Sequence, residues 1–247
     1  MTSIGLAATL GIAGLIVGSL LALVSVRMPS GEDVVAGRSR CLGCDRRLAW
    51  FELVPVASYL ALRGRCRTCQ GAISARYPLI ELAAGIIGLW AAFWGPGPVE
   101  SVLTALLGWQ LLLIAVVDLE HLWLPDRLTL PLVITGLVAA ALIEALGLRD
   151  ALIGAVVGFS SLWGLGYVYR HFRGRQGLGG GDPFLFAACG AWVGWQGLPL
   201  VLLIASSAGV CLIVSARIVG RPAGPDTRVP FAPLLSVGVW ITWLLHF

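Results

Sequence analysis

The chain has 247 residues, of which 58% are hydrophobic and only 12% are charged, whereas an ordinary soluble domain carries about 25% charged residues. Apolar runs close to the roughly 20 residues that span a bilayer recur along almost the whole length, so the composition excludes an ordinary soluble domain. The formal net charge of +4 is too small to indicate a nucleic acid partner, and we predict an all-α, polytopic membrane protein.

Hydropathy predicts about eight transmembrane helices. The first apolar run begins at Ile4, has no basic residue before it and has Arg27 directly after it, whereas a secretory signal carries its positive charges first. We therefore expect a retained span. Gly194 and Pro199 mark a turn between the sixth and seventh runs. In chain order the predicted spans are 4–26, 78–94, 101–119, 128–146, 151–169, 183–196, 198–216 and 229–245.

The arginines predict the topology, because cytoplasmic loops retain Lys and Arg while short translocated loops largely lack them. All 17 basic residues are arginines, and with eight spans all of them except Arg149 fall on one side of the membrane. We therefore expect both termini outside and the loop between the first two spans in the cytoplasm. The expected domains are a first transmembrane helix at 1–26, a cytoplasmic module at 27–77 and a seven-helix membrane domain at 78–247.

The cytoplasmic loop carries two C-x-x-C pairs, Cys41 with Cys44 and Cys66 with Cys69. Two such pairs about twenty residues apart are typical of a zinc site with four thiolate ligands. Two disulfides or no bound ligand are the alternatives, and structural disulfides are rare in the reducing cytoplasm. Because four protein ligands leave no coordination position open, we expect a structural metal and not a catalytic one.

Two aspartates lie at the edges of apolar runs. Asp118 ends the run LLLIAVVD at the cytoplasmic end of the third span, and Asp182 opens the sixth span from the same side, so both carboxylates share one membrane depth. When two carboxylates are held close, one keeps its proton; the ionised one takes a proton from water and the other donates to a substrate carbonyl, as in aspartic proteases. We expect Gly179, Gly180 and Gly181 to let the backbone approach an extended substrate.

Other interpretations of these acids stay open at this point. One or both aspartates could be solvated helix caps, with Asp182 placed to cap the sixth span, and intramembrane carboxylates also serve pumps and transporters. Glu120, His121 and Asp126 follow Asp118 in the loop LEHLWLPD. A metal site built from them is conceivable, and a solvated helix end is the simpler interpretation.

Taken together, these stretches resemble the bacterial type IV prepilin leader peptidases. The resemblance covers nearly the whole chain and rests on four stretches: GSLLALVSVRMP at 18–29, the cysteine module from 41 to 81, DLEHLWLPDRLTLPL from 118 and GLGGGDPFLFAACGAWVG from 177. It implies that Asp118 and Asp182 are the catalytic pair and that Asp126 is a motif residue outside it.

The activity that the resemblance implies is an intramembrane aspartic endopeptidase in the bacterial inner membrane. Such an enzyme cuts the short basic leader of prepilins or pseudopilins after a glycine, on the cytoplasmic side. The resemblance also implies that the new N-terminus is methylated, with S-adenosylmethionine as the methyl donor.

Several positions depart from the family's pattern. Phe184 stands where members typically have a lysine, Ala232 where they have a glycine and Leu42 where they have a proline, and Ala22 or a neighbour replaces an asparagine. A cation beside Asp182 would favour its ionised form. The alternatives are therefore a degenerate relative that binds pilin precursors without cutting them, or a small proton-coupled transporter; the lack of a second symmetric half counts against the transporter.

Overall fold

A computed structural model describes residues 3–33, 39–143, 147–174, 179–220 and 230–245 of the chain. Apart from two isolated β-bridges, the regular structure in these ranges is helical, and the predicted all-α class is confirmed. The helices are α1 (Ser3–Ser30), α2 (Ala57–Ala61), α3 (Arg76–Trp94), α4 (Pro98–His121), α5 (Asp126–Leu142), α6 (Leu148–Arg173), α7 (Asp182–Ile218) and α8 (Ala232–Leu244), with a 3₁₀ turn at Trp50–Leu53.

The predicted number of membrane spans is not confirmed. Within the described ranges five helices, α1, α3, α4, α6 and α7, are long and apolar enough to cross a bilayer. α5 has 17 residues and α8 has 13, fewer than the roughly 20 that a span needs. Some predicted features lie outside the described residues. These are the end of the fourth span at 144–146, the start of the eighth span at 229, Gly177 and Leu178 of the glycine motif, and the arginines at 38, 175, 221 and 228.

The sixth and seventh predicted spans form one long element, α7. A straight helix of its 37 residues would be about 55 Å long, well beyond the hydrocarbon core of roughly 30 Å. The helix breaks at Gly194, where φ is 68° and ψ is 173°. Glycine adopts a positive φ at little cost, so the two predicted helices meet at Gly194, one of the residues that mark the predicted turn.

The exposed surface of the long helices is apolar. On α1, Ile4, Ile12 and Ile16 are at least 60% exposed, and on α6 Val156 is 69% exposed. A continuous apolar surface of this kind is unfavourable in water, whereas lipid chains are as apolar as the side chains themselves. The protein is therefore a membrane protein.

The chain divides into two compact units, residues 1–113 and 114–247, and the boundary falls inside α4. In the first unit α1 packs along α3, and small residues lie at the contact. A Cβ on Gly14 would meet the carbonyl oxygen of Ala84, and one on Gly18 would lie 2.6 Å from the Cα of Glu81. The two backbones approach directly, as small residues allow between membrane helices.

The buried carboxylate of Glu81 fixes the loop between α1 and α3. Its Oε2 accepts a hydrogen bond from the Val56 N–H at 2.7 Å, and Glu81 is only 7% exposed. Val56 has a φ of 59°, which a β-branched residue rarely adopts, so the bond holds a strained turn at the start of α2. Nearby, Arg76 of α3 donates to the Ser25 hydroxyl of α1 at 2.7 Å.

In the second unit α7 packs against α5, α6 and α8. Trp192 of α7 is fully buried, and its Nε1 donates to the carbonyl oxygen of Leu132 in α5 at 2.9 Å. Its ring meets that of Trp243 in α8 edge-on, with centroids 5.1 Å apart. The first half of α7 is thus held by three helices, which fixes the position of its N-terminus.

Candidate functional site

The four loop cysteines lie on two backbone knuckles of similar form. Each C-x-x-C pair lies inside a short antiparallel bridge, Arg40 with Arg47 for the first pair and Arg65 with Ala72 for the second. The residue directly after each pair has a positive φ, 52° in one and 56° in the other. Both turns therefore reverse the chain in the same way and direct their sulfur atoms to a common point.

The sulfur positions fit a metal ion. The Sγ atoms of Cys41, Cys44, Cys66 and Cys69 all lie within 4.8 Å of one another, and the Sγ atoms of Cys41 and Cys69 are 3.7 Å apart. A tetrahedral site with metal–sulfur distances of about 2.3 Å separates its sulfurs by about 3.8 Å. None of the four forms a disulfide, so the described residues favour the metal-binding interpretation over two disulfides.

The clustered sulfurs change one another's ionisation. Backbone N–H groups of Cys69 and Thr68 donate to the sulfur of Cys66 and lower the pKa of Cys66. The Gly71 N–H favours the Cys69 thiolate, but the nearby sulfurs, that of Cys66 first, outweigh it and raise the pKa of Cys69. A metal ion bound between the sulfurs would favour the thiolate of Cys69 despite its neighbours.

Arg46 connects the cysteine cluster to the 3₁₀ turn. Its guanidinium donates to Glu52 twice, from NH1 to Oε2 at 3.0 Å and from NH2 to Oε1 at 2.7 Å, and it also faces the sulfur of Cys66. The Glu52 side chain is only 3% exposed. Arg46, together with the Ala49 N–H, lowers the pKa of Glu52. The pair thus fixes the 3₁₀ turn beside the cysteine cluster.

Asp118 lies near the C-terminal end of α4 and is 7% exposed. Its Oδ2 accepts a hydrogen bond at 3.1 Å from the backbone N–H of Ala232, the first residue of α8. N–H groups in the first turn of a helix favour a carboxylate. Family members typically have a glycine at position 232. Because the donor is the backbone N–H, the alanine at this position makes the same hydrogen bond. Asp118 is therefore a buried, hydrogen-bonded acid and not a solvated helix end.

Asp182 is the first residue of α7 and is also 7% exposed. Its Oδ2 accepts a hydrogen bond from the Gly179 N–H at 2.9 Å, and its own N–H donates to the Gly179 carbonyl at 3.2 Å. The N-cap of α7 is Gly181, and no side chain caps the helix. The carboxylate thus points back to the glycine loop, and the helix-cap interpretation of Asp182 is wrong.

The loops that follow Asp118 and precede Asp182 pack against each other. Asp118 is close enough for its charge to act on Asp182, and the α4–α5 loop packs on the glycine loop. A Cβ on Gly181 would lie 2.5 Å from the carbonyl oxygen of Leu124, whereas one on Gly180 would meet open space.

The other titratable residues of this loop do not join the site. Glu120, His121 and Asp126 are all exposed, and the nearest approach between them that the structure records is 3.9 Å, from His121 Nε2 to Glu120 Oε2. Among the described residues they form no metal-binding group; the four cysteines do. Asp126 begins α5, so the solvated helix end is the interpretation that fits.

Two features of the site had not been predicted. One is the Ala232 N–H, which leaves no trace in the sequence because every residue but proline carries the same donor. The other is the ring of Phe184, which packs edge-on against Phe159 of α6 with centroids 5.0 Å apart. The four-residue spacing of Phe159, Trp163 and Tyr167 in the sequence is the pattern that could have indicated an aromatic face on this helix.

Known proteins resemble this chain along most of its length. Residues 12–94 match the bacterial peptidase A24 N-terminal domain, and residues 105–214 match the type IV leader peptidase family. A protein of Stutzerimonas stutzeri, named prepilin leader peptidase/N-methyltransferase, is 36% identical over 94% of this chain and 88% of its own length. This chain belongs to the type IV leader peptidase family.

Further family members agree with this assignment. Proteins of the same name from Pseudomonas aeruginosa and Burkholderia pseudomallei are 36% and 42% identical, over 94% and 85% of this chain and 87% and 68% of their own lengths. No solved structure is significantly similar to the chain. Membership of the family confirms the predicted enzyme class, a prepilin peptidase, and disfavours the transporter alternative. The cysteine cluster falls within the N-terminal match and both aspartates within the second.

Proposed function

We propose that this protein is a membrane aspartic endopeptidase that removes the basic leader of type IV prepilins or pseudopilins by cutting after a glycine. The observation that carries the proposal is the pair Asp118 and Asp182. Both are buried, each is held by one backbone N–H, and their charges interact. The names of the relatives supply the substrate class.

In the proposed mechanism a water molecule lies between the two carboxyl groups. The ionised aspartate takes a proton from the water as its oxygen attacks the scissile carbonyl carbon, and the protonated aspartate donates to the carbonyl oxygen. The tetrahedral intermediate then collapses, the C–N bond breaks, and the leaving amine receives the proton taken from water. Because the pair titrates as a unit, the two roles are assigned to the dyad and not to single residues.

We place the reaction at the cytoplasmic face of the bacterial inner membrane. The support is the arginine distribution, which favours a cytoplasmic loop between the first two predicted spans and both termini outside. Asp118 and Asp182 then lie at the inner membrane surface, where a basic leader remains in water and an apolar segment enters lipid.

The cytoplasmic module, residues 27–77, is proposed to be a structural zinc domain. Cys41, Cys44, Cys66 and Cys69 would hold the ion, since the sulfur distances match a tetrahedral thiolate site. Zinc would supply folding free energy to a segment too short to build much of a core. It takes no part in cleavage, because four thiolates fill its coordination sphere.

N-methylation of the new N-terminus is proposed as a second activity. The relatives carry N-methyltransferase in their names, and S-adenosylmethionine is the methyl donor that the family resemblance implies. The α-amino group released by cleavage would be the acceptor.

Incubation of the purified protein with a prepilin tests both activities. We expect a shortened product whose mass locates the cut after a glycine, and a product heavier by one methyl group when S-adenosylmethionine is added. A precursor that binds but stays intact would favour the non-cleaving alternative. A cut product that never gains mass would restrict the function to proteolysis.

A further inference from the structure

The 3₁₀ turn and α2 carry apolar side chains on the outside of the cysteine module. Trp50 is 80% exposed and Leu60 is 66% exposed, and Phe51 and Val54 are exposed as well. The rings of Trp50 and Phe51 meet edge-on with centroids 5.8 Å apart, so they form one surface. Single exposed apolar residues are normal on a protein, whereas a group of them marks an interaction site. We call residues 50–60 the apolar segment.

The apolar segment is held beside the first turns of α3. This helix has 19 residues and is about 28 Å long, so it needs its whole length to cross a hydrocarbon core of roughly 30 Å. Glu81 lies about 8 Å along the axis from the start of α3, and it accepts the hydrogen bond of the Val56 N–H. The bond therefore lies at the edge of the hydrocarbon core, and it holds the apolar segment at the membrane surface.

The helix that holds the segment faces lipid at the same level. Leu79 and Leu82, on either side of Glu81 in the chain, are exposed, and exposed leucines on a membrane-spanning helix contact lipid chains. Glu81 itself lies against α1, since a Cβ on Gly18 would lie 2.6 Å from the Cα of Glu81. The hydrogen bond thus joins the apolar segment to a surface that is already covered by lipid.

Arginines accompany the exposed apolar side chains. The Arg67 guanidinium lies 5.7 Å from the centroid of the Phe51 ring, and the Arg63 N–H donates to the Leu60 carbonyl at 3.1 Å. Arg63, Arg65 and Arg67 are all exposed. Arginine together with Trp, Phe and Leu is the composition of segments that lie in a membrane interface, where each basic group is attracted to anionic headgroups.

Charge selects the partner of this surface. A basic leader peptide is repelled by the arginines, and a second copy of the chain would bring the same positive charge. An anionic phospholipid offers phosphate oxygens to guanidinium groups and an apolar region to the rings and to Leu60. Of these partners, the phospholipid alone matches both the charge and the apolar side chains.

We propose that the apolar segment inserts Trp50 and Leu60 into the headgroup region of the same membrane, where Arg63, Arg65 and Arg67 bind the phosphates of anionic phospholipids. The contact fixes the height of the cysteine module above the bilayer. It goes beyond the proposed function and does not depend on it, because it requires only that α1 and α3 lie in the membrane.

The experiment uses the full-length protein in nanodiscs of phosphatidylcholine, with or without phosphatidylglycerol. A photoreactive benzoyl-phenylalanine in place of Trp50 should form adducts with lipid, and more of them when phosphatidylglycerol is present. Combining Arg63→Glu with Arg65→Glu should lower the yield at least about fivefold, whereas Arg63→Lys with Arg65→Lys should retain it. The control probe replaces Asp45, an exposed acid of the module that an anionic surface repels, and should form no lipid adduct. Melting temperatures verify that each variant is folded.

Hydrogen exchange of the unmodified protein gives a second measurement that no substitution can disturb. Backbone amides of residues 50–60 should exchange more slowly in discs with phosphatidylglycerol than in discs without it, and those of residues 40–48 should not change. Adducts with the same chain, a second copy or an added prepilin in place of lipid overturn the inference. Equal adduct yields and equal exchange in the two kinds of disc overturn it as well. All these readouts are independent of cleavage, so they fail or succeed separately from the peptidase assignment.

Discussion

The backbone N–H of Ala232 donates to Oδ2 of Asp118 at 3.1 Å, and that of Gly179 donates to Oδ2 of Asp182 at 2.9 Å. The two donors come from two different segments of the chain, the start of α8 for Asp118 and the glycine loop for Asp182. Since the recorded bond of each carboxylate engages one oxygen, the other can accept a hydrogen bond from a water molecule or, when protonated, donate one to a substrate carbonyl. The arrangement leads to a prediction for each acid.

Replacing either Asp118 or Asp182 by asparagine should abolish cleavage. An amide accepts the same backbone hydrogen bond but cannot take a proton from water, so the rate should fall by at least about a hundredfold, as expected for loss of a general base. Product formation from a purified prepilin measures the effect, and normal membrane insertion with an unchanged melting temperature serves as the control. Full activity in either variant would refute the mechanism.

Gly181→Ala should destabilise the site, whereas Gly180→Ala should not change the melting temperature. At Gly181 the new Cβ would lie 2.5 Å from the carbonyl oxygen of Leu124, so the α4–α5 loop and the glycine loop must separate; at Gly180 it meets open space. An overpacked contact costs about 1–3 kcal/mol. Thermal unfolding in detergent compares the two variants, and equal melting temperatures would contradict the proposed contact.

Removal of the metal should unfold the cysteine module and leave the membrane helices intact. We expect one zinc per chain by elemental analysis, loss of it on chelation or in Cys66→Ser, and rapid proteolysis within residues 27–77 of the metal-free protein. Cys211→Ser is the matched control, because Cys211 lies on α7 outside the cluster. Zinc retained by the Cys66 variant at full stoichiometry would exclude the four-thiolate site.

Glu52→Gln should lower the stability of the module at neutral pH and much less at low pH. The bidentate pair with Arg46 lowers the pKa of Glu52, so its stabilisation is present above the unfolded value of about 4.3 and is lost as the pH falls through the folded value. Proteolysis rates of wild type and variant, measured from pH 7 to well below pH 4, should therefore begin to converge near pH 4 and meet only below the folded pKa of Glu52. A difference that persists undiminished at the lowest pH would indicate a packing effect.

Glu81→Leu should destabilise the first unit by about 1–3 kcal/mol, the penalty for a buried donor left without a partner. The substitution removes the acceptor of the Val56 N–H, whereas Glu81→Gln retains an acceptor oxygen at the same place. Melting temperatures should therefore fall clearly for leucine and little for glutamine. Equal losses for both would mean that the charge, and not the hydrogen bond, holds the strained turn.

Much of the architecture follows from local pattern. Hydropathy predicted the approximate positions of the long helices, and the cysteine spacing predicted a cluster that the structure brings within 4.8 Å. The count of eight spans is not confirmed, because α5 and α8 are shorter than a span needs and the sixth and seventh runs form one helix broken at Gly194. The break at Gly194 depends on a backbone conformation that several glycines of the sequence could equally adopt.

The sequence by itself determined that the protein resides in a membrane and that four cysteines form a set that could hold a metal ion, and it predicted that two aspartates lie at one depth. These properties depend on residue type and spacing, which can be read from the chain directly. Only the tertiary structure decided that α8 supplies a donor to Asp118, that the glycine loop holds Asp182, and that Phe184 packs against Phe159 of α6. The contacts of Asp118 and Phe184 join residues far apart in the chain, and packing brings them together. The contact of Asp182 is local, and the backbone conformation of the glycine loop decides it.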